Sequence, residues 1–324
     1  MAQKLIRDFL NVSPRFLRST QLERDFNDPD SLKGYCVTPE TTQHLRRLSK
    51  GFKVDSSQRA WRITGDFGSG KSSFALLLAN LLAKSAGELP KEVRPLRDEL
   101  GLARSAPRLL PVLVTGSREP LSIALLRALG AAIEQSLDGR KIQRIKHQID
   151  ELLAEPEIND RKIISTIENS SKELVSRGLF GGVLLIIDEL GKFLEYAALH
   201  PERQDVYFLQ SLGESATRSG KNQFSVIGLL HQGFAVYADK LTDSSQREWE
   251  KVAGRYEELV FKQPLNQVAL LMANALQFNG SSDLRGWNSH ASKEMAEAID
   301  LGTFGPEAGK TALTKLAPAL YPLH

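Results

Sequence analysis

The chain has 324 residues, of which 41% are hydrophobic and 25% charged, and its formal net charge is +3. Such a composition is typical of a folded soluble protein, and the length suffices for one large α/β domain with added elements or for two domains. The small net charge excludes a basic footprint over the whole surface. Any DNA contact therefore has to come from a local patch.

The number of cysteines and the length of the apolar stretches indicate the cellular compartment of the protein. The single cysteine, Cys36, excludes a disulfide framework and a cysteine metal site within the chain, and the six histidines show no metal-type spacing. The opening MAQKLIRDFLNVSPRF lacks the apolar core of a signal peptide. No apolar stretch reaches the roughly 18 residues of a membrane span. We therefore expect a cytoplasmic protein that does not contact a membrane.

The first predicted elements precede the main motif. Residues 1–34 are mixed and charged, and we interpret them as an N-terminal arm lying on the main domain. The sequence Thr38-Pro39-Glu40 predicts the start of a helix that runs to about Lys50, because proline and an acidic residue both favour a first turn.

A phosphate-binding loop follows the first predicted strand, Trp61 to Thr64. Residues 65–72 read GDFGSGKS, a full match to G-x-x-x-x-G-K-[ST], and an apolar helix pattern comes next. Strand, glycine loop and helix in this order is the context that supports the motif. The predicted nucleotide-binding residues are Gly65, Asp66, Phe67, Gly68, Ser69, Gly70, Lys71, Ser72 and Ser73.

These residue types suit phosphate chemistry. Glycines let backbone N–H groups surround phosphate oxygens, and the helix N-terminus adds a positive dipole end. Lys71, expected to be an exposed loop side chain, can reach the β- and γ-phosphates of ATP. The Ser72 hydroxyl can bind Mg²⁺.

The second predicted strand, Leu109 to Thr115, leads into a helical insertion at about residues 119–177. Three amphipathic helices are predicted there. One of them carries Arg140, Lys141, Arg144 and Lys146. This basic run is compatible with a nucleic-acid face and with an ordinary solvated helix face.

The third predicted strand, Gly181 to Asp188, is a continuous apolar run typical of a central parallel strand. It ends in Asp188-Glu189. An aspartate beside the phosphate loop can complete the Mg²⁺ shell, and the following glutamate can activate a water molecule. A glutamate at this point suits hydrolysis and disfavours a small-molecule kinase.

Two further strands carry candidate site residues. Phe224 to Leu230 is the fourth, and either His231 or Gln232 at its end is placed to sense the γ-phosphate. Glu258 to Phe261 is the fifth. Arg255 stands just before it, and this position resembles the arginine finger that AAA-type ATPases direct at a neighbouring subunit; a surface arginine is the alternative.

The elements together predict an α/β fold of the P-loop NTPase class, ASCE/AAA-like, with a parallel sheet of order 5-1-4-3-2 and helices on both faces. The predicted domains are an arm at residues 1–34, an ATPase core at 35–264 and an incomplete helical lid at 265–324. The lid pattern includes Ala275 and Leu276 within one helix.

Several phrases resemble the large P-loop ATPases of BREX-type and Pgl-type bacterial phage-defence systems. They are GYCVTPE, AWRITGDFGSGKSSFALLLA, LLIIDELGKFLEY, GLLHQGFAVYA, EWEKVAGRYEELVF and LAPALYPLH, which together span about residues 34–324. In that family a much longer C-terminal region follows the last phrase, so the resemblance implies that this chain is a fragment.

The resemblance implies ATP binding and hydrolysis, oligomer formation, and work on DNA or on other defence proteins. A nucleotide-dependent switch or scaffold of the STAND type, with little turnover, is the alternative. Multiple turnover of ATP separates these two hypotheses.

Overall fold

The structure is a computed structural model that describes residues 10–101, 108–137, 139–155, 159–200, 205–238, 243–278, 285–304 and 310–320. The chain divides into two compact units. One is Thr20–Phe261, and the other combines Met1–Ser19 with Lys262–His324. The domain boundaries expected from the sequence stay a prediction.

The described residues form strands β1 (Leu10–Val12), β2 (Ala60–Thr64), β3 (Leu109–Thr115), β4 (Gly182–Asp188), β5 (Phe224–Leu230), β6 (Glu257–Val260) and β7 (Leu276–Phe278). Helices of the larger unit are α1 (Leu22–Phe26), α2 (Pro39–Ser49), α3 (Lys71–Ala83), α4 (Leu96–Glu99), α5 (Leu121–Ser136), α6 (Gly139–Ala154), α7 (Asp160–Ser176), α8 (Leu190–Leu199), α9 (Asp205–Arg218), α10 (Phe234–Ala238) and α11 (Asp243–Ala253). Helices of the smaller unit are α12 (Leu265–Ala275), α13 (Arg285–Asp300) and α14 (Lys310–Leu320).

The larger unit is built on a five-stranded sheet of order β3-β4-β5-β2-β6, and every neighbouring pair in it is parallel. Counted from β2 as the first strand, this order reads 5-1-4-3-2 from the β6 edge. The predicted fold class and strand order are confirmed. Because all five strands run the same way, their carboxyl ends lie along one edge of the sheet.

Apolar side chains cover both faces of this sheet. In β4 every residue is buried, and successive side chains enter opposite cores because strand residues alternate. Val183, Leu185 and Ile187 join a core that includes residues of α5, α6, α7 and α9. Leu184 and Ile186 join a second core with α2 and α3. The apolar run is thus explained by helices on both faces.

Local sequence signals place α2 and α3. The Thr38 hydroxyl accepts a hydrogen bond from the Thr41 backbone N–H and caps α2, and Pro39 occupies its first turn. Helix α3 begins at Lys71, directly after Gly70. Most of its residues are buried, including Phe74 and Leu78.

The sequence pattern from Phe234 through Trp249 predicts a helical stretch, and the structure has α10 and α11 there, with residues 239–242 outside the described residues. One prediction about the helices was wrong. Leu276, predicted to be helical, begins strand β7. The backbone of β7 pairs antiparallel with β1, and a partner so distant in sequence leaves no local signal.

The smaller unit combines this β1–β7 ribbon with α12, α13 and α14. The Ser13 backbone N–H donates to the Ala275 carbonyl at 2.8 Å and closes the ribbon. None of the helices in the described part of the chain combines the length and apolar character needed to span a bilayer.

Candidate nucleotide-binding site

The loop between β2 and α3 has the backbone of a phosphate cradle. Gly68 and Gly70 have φ angles of +75° and +95°, a region that side-chain-bearing residues rarely adopt. A Cβ at Gly65 would lie 2.3 Å from the Phe261 carbonyl oxygen. The Ser69 hydroxyl oxygen is buried without a hydrogen-bond partner. The loop therefore needs its glycines, and it has an unused polar group suited to an anionic ligand.

Lys71 lies at the base of this loop. Its Nζ donates to the carbonyl oxygens of Gly65 and Asp66, at 2.7 and 2.8 Å. The side chain is only 5% exposed, so the expectation of an exposed lysine was wrong. Burial lowers the pKa of Lys71, and the nearby carboxylates of Asp188 and Asp66 oppose that shift. A buried cation at the start of a helix is well placed to meet phosphate.

Ser72 and Asp188 meet across the carboxyl ends of β2 and β4. The Ser72 hydroxyl hydrogen-bonds to the Asp188 carboxyl, which also accepts the Glu189 backbone N–H at 2.8 Å. Burial raises the pKa of Asp188, and these two hydrogen bonds oppose the shift. A hydroxyl and a carboxylate side by side are the oxygen donors that Mg²⁺ prefers, so the residues present fit this ion.

Glu189 has a strained backbone. Its φ of +48° makes it the one described residue other than glycine with a positive φ. A Cβ at Gly116, on the loop after β3, would lie 2.2 Å from the Glu189 carbonyl oxygen. The Glu189 carboxylate forms an ion pair with Lys192. Strain of this kind costs about 1–3 kcal/mol and is concentrated at functional sites.

The structure brings His231 to the phosphate loop. Its Nδ1 lies 3.3 Å from Lys71 Nζ, and its ring centroid lies 5.1 Å from that of Phe67. Burial lowers the pKa of His231, and the Lys71 charge lowers it further. Gln232, the other sensor candidate, is exposed on the same loop. Phe67 itself is 85% exposed at the loop tip.

Arg255 is not part of this cluster. It precedes β6, whose first residues pair with the amino end of β2, so it lies at the sheet edge opposite the phosphate loop. Its Nε is 3.0 Å from a Glu214 carboxylate oxygen, and its side chain is half exposed. It borders a depression of about 450 Å³ together with Arg62 and Glu258. Arg255 therefore cannot reach the phosphate loop of its own chain.

The structure adds three residues that the sequence did not single out. Glu23 accepts hydrogen bonds from the backbone N–H and the hydroxyl of Thr115, both at 2.6 Å, beside the strand that ends in Asp188. His44 packs between two phenylalanine rings near the loop. Tyr237 contacts α8. Only Tyr237 had a signal, since it belongs to the phrase GLLHQGFAVYA.

A parallel sheet of this order, with a G-x-x-x-x-G-K-S loop after its first strand and an acidic pair after its third, defines a P-loop NTPase fold. No family model matches the chain, and no curated protein matches it. The chain is similar to two solved structures of the Aeropyrum pernix ORC2 protein.

One is titled as ADPNP-ADP complexes and the other as the ADP form, and each is 13% identical to this chain. The first match has a TM-score of 0.44 and covers 90% of this chain and 71% of the other. The second has a TM-score of 0.45 and covers 91% and 72%. A likeness at this level does not define a family.

Proposed function

We propose that this protein binds ATP and hydrolyses it in a Mg²⁺-dependent reaction. The observation that carries the proposal is the convergence of Lys71, Ser72, Asp188 and His231 at the carboxyl edge of the sheet. Four groups from three separate segments meet there, and each has a chemistry suited to a nucleoside triphosphate.

Each residue then has a distinct role. Backbone N–H groups of the loop and the start of α3 bind phosphate oxygens, and the Lys71 ammonium neutralises charge that develops on the γ-phosphate. Ser72 and Asp188 would hold Mg²⁺, which would supply positive charge to stabilise the phosphate oxygens. His231, close to Lys71, is placed to sense the γ-phosphate, and Gln232 is the second candidate.

Glu189 is the proposed base for the attacking water. It directly follows the proposed metal ligand Asp188, its backbone has an uncommon conformation, and Gly116 lies close to its carbonyl oxygen. Catalysis of this kind depends on positioning and electrostatics, so a small displacement of the carboxylate has a large effect on rate.

The biological setting is proposed from the sequence phrases. Their resemblance to BREX-type and Pgl-type ATPases supports a role in anti-phage defence in the cytoplasm, in a homo-oligomer that acts with other defence proteins or on DNA. In cells that carry such a system, Lys71→Ala should abolish protection, measured as the efficiency of plaquing. Full protection with this variant would contradict the defence role.

A second candidate is a nucleotide-dependent switch or scaffold with little turnover. The ion pair between Glu189 and Lys192 favours it, because a paired carboxylate is less available to activate water. In a switch of this kind, the binding of ATP rather than its hydrolysis carries the signal.

Phosphate release under multiple-turnover conditions separates the two candidates. The chain is incubated with excess ATP and Mg²⁺, with and without duplex DNA, and a reaction without protein serves as the reference. Sustained release well above that reference supports the ATPase. A single equivalent per chain, with tight ATP binding, supports the switch. No ATP binding in calorimetry would overturn both.

A further inference from the structure

Tyr237 connects two parts of the candidate site. It lies on α10, seven residues after the end of β5, and its ring packs against the main apolar core. Its phenol oxygen accepts hydrogen bonds from the backbone N–H groups of His231 and Gln232. The loop that carries both sensor candidates is thus tied by its main chain to one side chain.

The same phenol reaches the first turn of α8. A Cβ placed on Gly191 would lie 2.3 Å from the Tyr237 hydroxyl oxygen and 2.7 Å from Cζ. Only glycine leaves room for the ring at this distance. Gly191 follows Glu189 by two residues, so Tyr237 lies between the helix start that carries the proposed base and the loop that carries the proposed sensor.

We propose that Tyr237 is a positioning residue, which fixes the His231–Gln232 loop relative to the start of α8. This inference rests on the proposed ATPase function for its catalytic consequence. Its structural core, the two hydrogen bonds to the phenol oxygen, does not depend on that function. Through this link, the state of the γ-phosphate at His231 is coupled to the position of Glu189.

Tyr237→Phe tests the link because it keeps the ring and removes only the oxygen. Amide hydrogen exchange is measured without nucleotide on a peptide covering residues 230–234. We expect exchange about tenfold faster than in the wild type, the scale of one lost hydrogen bond. Tyr207→Phe, at an exposed tyrosine of α9, should leave exchange in this peptide unchanged.

Gly191→Ala tests the same link by changing the residue of α8 that Tyr237 contacts. Alanine has a higher helix propensity than glycine, so the substitution should not weaken α8. The new methyl group should, however, displace the Tyr237 ring. This variant should show the same fast exchange at residues 230–234. Unchanged exchange in both Tyr237→Phe and Gly191→Ala would overturn the proposal.

The catalytic test compares the effect of the substitution on kcat with its effect on nucleotide affinity. Tyr237→Phe should lower kcat by about tenfold to a hundredfold, the effect of a misplaced group, while ADP affinity stays within about twofold of wild type. Equal kcat in wild type and Tyr237→Phe would overturn the coupling. If the wild type does not hydrolyse ATP, the proposed function fails, and the exchange experiment still decides the positioning role.

Discussion

Nζ of Lys71 lies 3.3 Å from Nδ1 of His231. An ammonium group has no acceptor, so the histidine must offer a lone pair at Nδ1 and carry its proton at Nε2. Burial and the Lys71 charge both lower the pKa of His231 and keep the ring neutral. The phosphate loop and the end of β5 are therefore joined through two side chains that can both respond to a bound phosphate.

Lys71→Ala should reduce ATP affinity by at least a hundredfold, because a charge-assisted contact to phosphate is lost from a buried position. It also removes the donor to two loop carbonyls, so we expect a loss of stability of about 1 kcal/mol. Calorimetry with ATP and a thermal melt without nucleotide measure the two effects. Lys221→Ala, at an exposed lysine, is the control. Unchanged ATP affinity in Lys71→Ala would show that the loop does not bind phosphate.

Glu189→Gln should bind ATP almost as well as the wild type and hydrolyse it about 10²–10⁴-fold more slowly, because the amide keeps the shape but cannot accept a proton from water. Phosphate release and ATP affinity are measured on the same preparation. Glu173→Gln removes a partly exposed, ion-paired carboxylate on α7 and should change neither quantity. Turnover near wild type would exclude Glu189 as the base.

His44 should make the fold sensitive to acid. Burial lowers its pKa to about 4, with Arg47 adding to the shift, and Glu40 lies 3.6 Å away. Between pH 6.5 and 4 the unfolded chain takes up a proton at His44 that the folded chain does not. Stability is therefore lost as pH falls through this window, by about 2 kcal/mol between pH 7 and pH 5 from this group alone.

Urea unfolding of the wild type and of His44→Phe at pH 7 and pH 5 measures the contribution of His44 to the pH dependence of stability. The variant should lose about 2 kcal/mol less than the wild type on acidification, whatever its stability at pH 7. His147→Gln, at an exposed histidine of α6, should behave as the wild type does. Equal pH dependence in wild type and His44→Phe would refute a depressed pKa at this site.

Arg255 should act across subunits or not at all, because it lies at the edge of the sheet opposite its own phosphate loop. Arg255→Ala should bind ATP normally and lose on the order of a thousandfold in hydrolysis. Mixing it with Lys71→Ala protein should restore part of the activity, since one chain supplies the loop and the other the arginine.

The matched control for this experiment is Arg218→Ala. Arg218 also lies close to the Glu214 carboxylate, at 3.8 Å, so its loss has a similar effect on that carboxylate without touching Arg255. We expect normal turnover from it. If Arg255→Ala also turns over normally, or loses activity without rescue in mixtures, the proposed homo-oligomer has no support from this residue.

The elements that could be predicted from the sequence are those whose chemistry is local. The phosphate loop needs glycines, Lys71 and Ser72 within a few residues of one another, and a strand that is buried on both faces needs a continuous apolar run such as the one before Asp188. The helix start at Pro39 is likewise encoded in adjacent residues. These features were predicted because their physical causes lie within a short stretch of chain.

The contacts between residues far apart in the sequence could not be predicted, because they depend on how the whole fold packs. The pairing of β1 with β7, the hydrogen bonds from Thr115 to Glu23, and the approach of Tyr237 to Gly191 each join segments far apart in the sequence. Parallel strands placed Lys71 and His231 at one edge and Arg255 at the other. Such contacts depend on how the sheet and its two cores pack, and the residue types at each position are compatible with many other partners.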